Sequence, residues 1–280
     1  MSGSILSFSS MAIAGRSLAR TLDTFEIMTW RSAIGFALVI VIGGLSGRLG
    51  EVRANRIGTH LVRNLFHFSG QNLWFWSLTM IPLAQVFALE FTSPLWVILL
   101  SPLFLGERLT AARAGSAALG FAGVLIVARP DIAHVNPGVL AAAASAIGFA
   151  GSAIFTKRLT RHEQVISILF WLTVMQGLFG LSLSAADGNV TLPGLAEVPA
   201  LLVVGAAGVI AHFCLTKALT LAPASVVIPI DFVRLPVIAV VAMLLYGEPL
   251  DPAVFLGAAI ICLANWLNIR SENRLRNAAS

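Results

Sequence analysis

Charge is what this chain most lacks: Asp, Glu, Lys and Arg together make up 11% of its 280 residues, where a soluble domain carries about 25%. That scarcity argues against an ordinary water-soluble enzyme. Cysteine is nearly absent too. Cys214 and Cys262 each sit inside an apolar run, which offers neither a disulfide framework nor metal-ligand spacing and reads as plain packing. No His-Glu-x-x-His, no paired Asp-rich motif, no phosphate-binding glycine loop and no Ser, His, Asp set stands out. Neither a catalytic centre, a metal nor a cofactor is expected. The first apolar run has no basic region before it and leads directly into further runs, unlike a cleavable signal peptide. Apolar residues, by contrast, are abundant at 58%, gathered in runs of about 20, the length that crosses a bilayer as a helix.

Runs and breakers predict ten transmembrane helices, near residues 3–19, 27–46, 58–79, 82–104 and 111–128, then 136–156, 164–184, 198–220, 223–245 and 252–270. The expected fold class is an all-α integral membrane protein. A pI near 10.2 and a net charge of +5 do not point to nucleic acid, because the Arg and Lys residues fall in interhelix loops and not on one wet face. They bear on topology instead. With the amino terminus in the cytoplasm, inner loops and tail hold Arg48, Arg53, Arg56, Arg108, Arg113, Lys157, Arg158, Arg161, Arg270, Arg274 and Arg276. Only Arg16, Arg20 and Arg129 are left outside. This bias predicts a multi-pass inner-membrane protein with both termini cytoplasmic.

An internal repeat organises the chain. At one ungapped offset of 141, Phe8 falls on Phe149, Trp30 on Trp171, Leu78-Thr79 on Leu219-Thr220 and Pro82 on Pro223. Glu90-Phe91 falls on Asp231-Phe232, and Gly106-Glu107 on Gly247-Glu248. The expected units are a first five-helix repeat over 1–130, a second over 136–271 and a short cytoplasmic tail over 272–280. The first span looks short by about five residues beside 136–156. Five spans is an odd number, so the second repeat enters the membrane with opposite polarity. Such 5+5 inverted-topology repeats around a central cavity suit alternating access.

Ionisable side chains inside a span cost several kcal/mol unless paired or hydrated, which singles out Glu90, Asp231 and Arg234. Helix rise places Glu90 roughly 12 Å from the outer end of its span and Asp231 about as far from the inner end of its own. Arg234 shares a helix face with Asp231 near the middle. Two readings stand: Arg234 binds an anionic group or is released when solute or a proton arrives, or the trio is a permanent ion pair locking the halves.

Along the third span, His60, Arg63, Asn64, His67, Gln71 and Trp74 recur on one helix face, a stripe too polar to face lipid. His60 and Arg63 read as interfacial, while His67, Gln71 and Trp74 are cavity candidates. The mates of Arg63, His67 and Gln71 are Val204, Gly208 and His212, and His212 reads either as a ligand contact or as an interhelix hydrogen bond. Trp30, Trp76 and Trp171 read as interfacial anchors, and Lys217 as snorkelling. Pro82, Pro94, Pro223 and Pro236 are candidate hinges or kinks. The two Gly-Glu pairs read as turn and helix-start chemistry.

The stretch from Phe91-Thr92-Ser93-Pro94-Leu95-Trp96 through Leu105-Gly106-Glu107-Arg108-Leu109 to Gly123-Val124-Leu125-Ile126-Val127-Ala128-Arg129-Pro130 resembles the drug/metabolite transporter superfamily, EamA type. The resemblance implies a secondary transporter with two EamA repeats and a central cavity, the fifth and tenth helices standing outside its wall. Asp231-Phe232-Val233-Arg234-Leu235-Pro236 with Tyr246-Gly247-Glu248 looks like a subgroup that includes riboflavin and S-adenosylmethionine carriers. The expected function is therefore movement of a small amphipathic metabolite, such as an amino acid, vitamin or nucleoside-like compound, across the inner membrane. The partners are that solute, the lipid bilayer and a gradient of solute, proton or another ion. A membrane-embedded enzyme or a structural membrane protein are the alternatives.

Overall fold

The fold comes from a computed structural model, which describes residues 1–106, 110–128, 136–186, 191–222, 224–227, 230–231, 234–249 and 251–279, with backbone alone at 127–128, 225–226, 235–236, 265 and 272–279. The described residues form helices and no strand: α1 (Ser2–Leu18), α2 (Thr24–Leu45), α3 (Ile57–Leu78), α4 (Leu83–Glu90), α5 (Ser93–Leu105), α6 (Ala111–Ala128), α7 (Pro137–Leu159), α8 (Val165–Ser184), α9 (Val198–Leu221), α10 (Ala224–Val227), α11 (Arg234–Tyr246) and α12 (Pro252–Ala279). Among the described residues six stretches are long and apolar enough to cross a membrane: α2, α4 with α5, α7, α8, α9, and Pro252–Ser271 of α12. Ala111–Ile126 and Val237–Tyr246 are shorter apolar helices. α12 runs on through the backbone of the expected tail to Ala279.

The expected fourth and ninth spans are not continuous. α4 ends at Glu90 and α5 begins at Ser93 because Pro94, in the first turn of α5, has no N–H to offer the Glu90 carbonyl. The Ser93 hydroxyl donates to that carbonyl instead, at 2.6 Å. Pro82 is the cap before α4. In the second half α10 and α11 are likewise separate; Pro236 lies in the first turn of α11, and Pro223 falls outside the described residues.

Helix starts obey the 141-residue shift. α2, α3, α4, α5 and α6 begin at 24, 57, 83, 93 and 111, and α8, α9, α10, α11 and α12 at 165, 198, 224, 234 and 252. α5 and α11 are each followed by a glycine at positive φ, Gly106 at 69° and Gly247 at 66°, the left-handed C-terminal cap that glycine adopts without a Cβ clash. α1 has 17 residues against 23 in α7, although the two end at equivalent positions.

Packing repeats the pattern. α3 lies on α7 and α1 on α9, pairs that the shift exchanges, while α2 lies on α8 and α6 on α12, pairs that it maps onto themselves. Small residues permit the closest crossing: a Cβ added to Gly148 would lie 2.7 Å from the Gly70 Cα. Where lipid replaces water, such backbone proximity is a main source of helix association.

Candidate functional site

A cavity of about 100 Å³ is lined by α1, α3, the α4–α5 break, α7, α9 and the start of α11, with Asp231 just before it. Glu90, Asp231, Arg234, His67, Gln71, Trp74 and His212 all line it. Among the described residues, neither α6 nor α12 contributes a lining side chain.

The acidic pair converges on one cation. Arg234 Nη2 donates to Glu90 Oε1 at 2.5 Å and lies 2.7 Å from Asp231 Oδ2. Trp74 Nε1 donates to the other Glu90 oxygen at 2.7 Å. The guanidinium carbon lies 5.0, 4.8 and 5.3 Å from the ring centroids of Phe8, Phe87 and Phe91, within cation–π range. Arg234 is 2% exposed, and the Pro94 break at the end of α4 brings Glu90 into its reach.

The polar stripe of α3 continues the wall. His67 and His212 meet edge to face with ring centroids 4.6 Å apart, flanked by Phe149 and Phe8. Among the described residues, the buried Nε2 atoms of both histidines have no hydrogen-bond partner. Gln71 Oε1 accepts from Arg31 Nη1 at 3.1 Å. Arg31, 4% exposed, escaped the sequence reading, although it is an ionisable residue in an apolar run and the same rule would have singled it out. Its guanidinium rests against Gly208, where an added Cβ would lie 2.9 Å from Arg31 Nε. The change from His67 to Gly208 across the repeat therefore makes room for a cation.

The interfacial expectation for His60 and Arg63 is corrected. They are 0% and 2% exposed, because α7 and α8 cover that face of α3. Arg63 lines the cavity, and His60 Nε2 lies 3.8 Å from the buried Glu163 carboxylate. Trp171 Nε1 donates to the Arg53 carbonyl at 2.7 Å, on a loop where the Arg48 guanidinium, beside Glu51, has its pKa raised above the usual value. Lys217 is exposed.

Six pairs of lining residues are mates under the shift: Phe8 and Phe149, Met11 and Ser152, Gln71 and His212, Trp74 and Leu215, Glu90 and Asp231, Ser93 and Arg234. Phe8 and Phe149 were visible as repeat mates in the sequence without being recognised as wall residues. The repeat offset was the signal that could have found them.

One end of the bundle is tied shut between α1, α4 and the turn after α11. Glu248 pairs with Arg16 and accepts the Leu83 N–H at 2.9 Å, so it caps the start of α4, not its own helix. Its mate Glu107 lies outside the described residues. Arg16 also stacks over Tyr246 at 4.5 Å. Near the opposite ends of α7 and α9, Lys157 Nζ donates to the Leu219 and Ala222 carbonyls at 2.7 and 2.9 Å. Among the described residues no group of three or more His, Cys, Asp or Glu is arranged to hold a metal ion.

Long apolar helices around a sparsely charged hollow define a multi-pass membrane protein built to handle a small molecule. The chain belongs to the EamA-like transporter family, whose sequence profile matches residues 1–129 and 136–270. It is 27% identical over 271 residues to an S-adenosylmethionine uptake transporter of Rickettsia bellii, covering 97% of this chain and 92% of that one. It is 33% identical over 242 residues to a riboflavin transporter of Rhizobium johnstonii, covering 86% and 80%. A crystal structure at 19% identity superposes with a TM-score of 0.69 over 98% of both chains and so shares the fold. The protein is a transporter and not an enzyme.

Proposed function

We propose that the protein is a secondary transporter that carries a small amphipathic metabolite across the inner membrane by alternating access, with both termini cytoplasmic. Ten spans form two inverted five-helix repeats in this reading, α4–α5 and α10–α11 each serving as one broken span. The supporting observation is the placement of Glu90, Asp231 and Arg234 in one cavity at the breaks of both helices. Broken helices at mid-membrane are where transporters build solute sites. The exchange of helix pairs under the 141-residue shift supports two halves able to trade conformations.

With this topology the Arg16–Glu248 latch lies on the outer face. The lining residues Arg63, Thr156 and Thr216 lie toward the cytoplasmic ends of α3, α7 and α9, so the described state is shut outward. Aromatic walls beside a carboxylate–guanidinium cluster suit a compound with both a ring and polar groups, in keeping with the S-adenosylmethionine and riboflavin carried by the relatives. The drive is a gradient of the solute, protons or another ion. His67, Gln71, Trp74 and His212 complete the wall, and the proline breaks serve as hinges.

Proteoliposomes test this directly. Uptake of labelled S-adenosylmethionine, riboflavin and amino acids is measured with and without unlabelled solute inside. Protein-dependent uptake accelerated by solute on the far side is expected for at least one compound; uptake indifferent to it throughout the panel would remove the carrier reading.

A further inference from the structure

Arg63 is held in the cavity wall at 2% exposure with neutral partners. Its Nε donates to Thr156 Oγ1 at 3.1 Å and its Nη1 to Asn64 Oδ1 at 3.0 Å. Among the described residues, Nη2 has no hydrogen-bond partner, and no carboxylate lies within ion-pair distance of Arg63 or of the neighbouring Arg31. The buried acids are engaged elsewhere: Glu90 and Asp231 both hold Arg234, Glu163 accepts from Ser167, and Glu26 accepts from the Asp23 and Thr191 N–H groups. A guanidinium withdrawn from water without a counter-charge costs several kcal/mol. A cavity against such a group invites an anion.

Position gives the rest. Arg63 and Trp74 are eleven residues apart on α3, about 16 Å by helix rise, so Arg63 stands at the far end of the cavity from the Glu90 cluster. We infer that Arg63, positioned by Thr156, binds a carboxylate of the transported solute, which therefore carries a negative charge at the end remote from Glu90, Asp231 and Arg234. The proposal rests on the transport reading only for the identity of the occupant. The planar fork of arginine matches a carboxylate with two parallel hydrogen bonds, and Phe149 on the same wall accommodates an adjoining apolar group.

The test uses the purified full chain in chloride-free detergent, with benzoate as probe, benzamide as its uncharged counterpart and chloride as a simple anion. Benzoate is expected to raise the melting temperature saturably, benzamide and chloride far less. Arg63→Gln weakens the benzoate response on the order of 10- to 100-fold, and Arg63→Lys, which keeps the charge but loses the fork, weakens it less than Arg63→Gln does. Thr156→Asp supplies a built-in carboxylate beside Arg63, so it raises the ligand-free melting temperature and removes the response, which decides the matter even if Arg63→Gln does not fold. An absent benzoate response, an equal response to benzamide or chloride, or one that survives Arg63→Gln or Thr156→Asp overturns the proposal. Binding is read without flux, so a protein that binds benzoate through Arg63 yet transports nothing defeats the carrier reading alone.

Discussion

The indole nitrogen of Trp74 donates to one oxygen of Glu90 at 2.7 Å while Arg234 holds the other at 2.5 Å. The carboxylate is thereby fixed between a neutral donor on α3 and a cation on α11, elements from opposite halves of the chain. Trp74→Phe keeps the ring that packs on Phe75 and Phe87 but removes the donor. Solute uptake into proteoliposomes should fall about tenfold, the worth of a hydrogen bond to a charged group. Glu90→Gln, which removes the charge itself, should cost more than Trp74→Phe; equal losses would mean that Trp74 contributes packing alone.

Glu248 ties Arg16 to the first N–H of α4, so Glu248→Gln should loosen one end of the cavity. Met11 lines that cavity and offers a reporter. In a background without Cys214 and Cys262, labelling of Met11→Cys by an impermeant maleimide added outside should quicken about five- to thirtyfold with Glu248→Gln, as expected for a shift of one or two kcal/mol. Unchanged labelling would show that the ion pair does not hold the outer face.

Gly148 leaves no room for a side chain against Gly70. Gly148→Val should push α3 from α7 and cost about 1 to 3 kcal/mol, seen as a lower melting temperature in detergent. Retention of wild-type stability would contradict the close crossing.

Lys157 closes the end of α9 by donating to two carbonyls. Lys157→Met keeps the aliphatic stem and loses both charged hydrogen bonds, so unfolding should become easier by about 1 to 3 kcal/mol. An unaltered unfolding midpoint would count against that capping role.

Much of this arrangement was legible because the sparse residues carry the information. A single offset matched Glu90 to Asp231 and Gly106 to Gly247, and the structure brings the first pair onto one arginine and gives the second pair the same left-handed turn. In-span charge pointed to the cluster, and helical spacing pointed to His67, Gln71 and Trp74. The helix breaks were harder to see, since Pro94 looked like a kink and the Ser93 hydroxyl that makes a full break tolerable is an ordinary residue until its partner is known. Arg63 looked interfacial because counting residues from a helix end gives depth but says nothing of a neighbour lying across it. The role of Glu248 was invisible for the same reason: the helix it caps lies 165 positions away in sequence.

Counterflow is the most direct test of a shared solute site. Wild type, Asp231→Asn and Arg234→Ala are reconstituted at equal density, with helicity and melting behaviour recorded, and labelled solute is taken up against an unlabelled internal pool. Wild-type vesicles should show transient accumulation, and in folded protein both variants should lose it by about 100-fold or more, the effect of losing about 3 kcal/mol of charged contact at the site. Wild-type counterflow in both variants would contradict the assignment of the site to Glu90, Asp231 and Arg234.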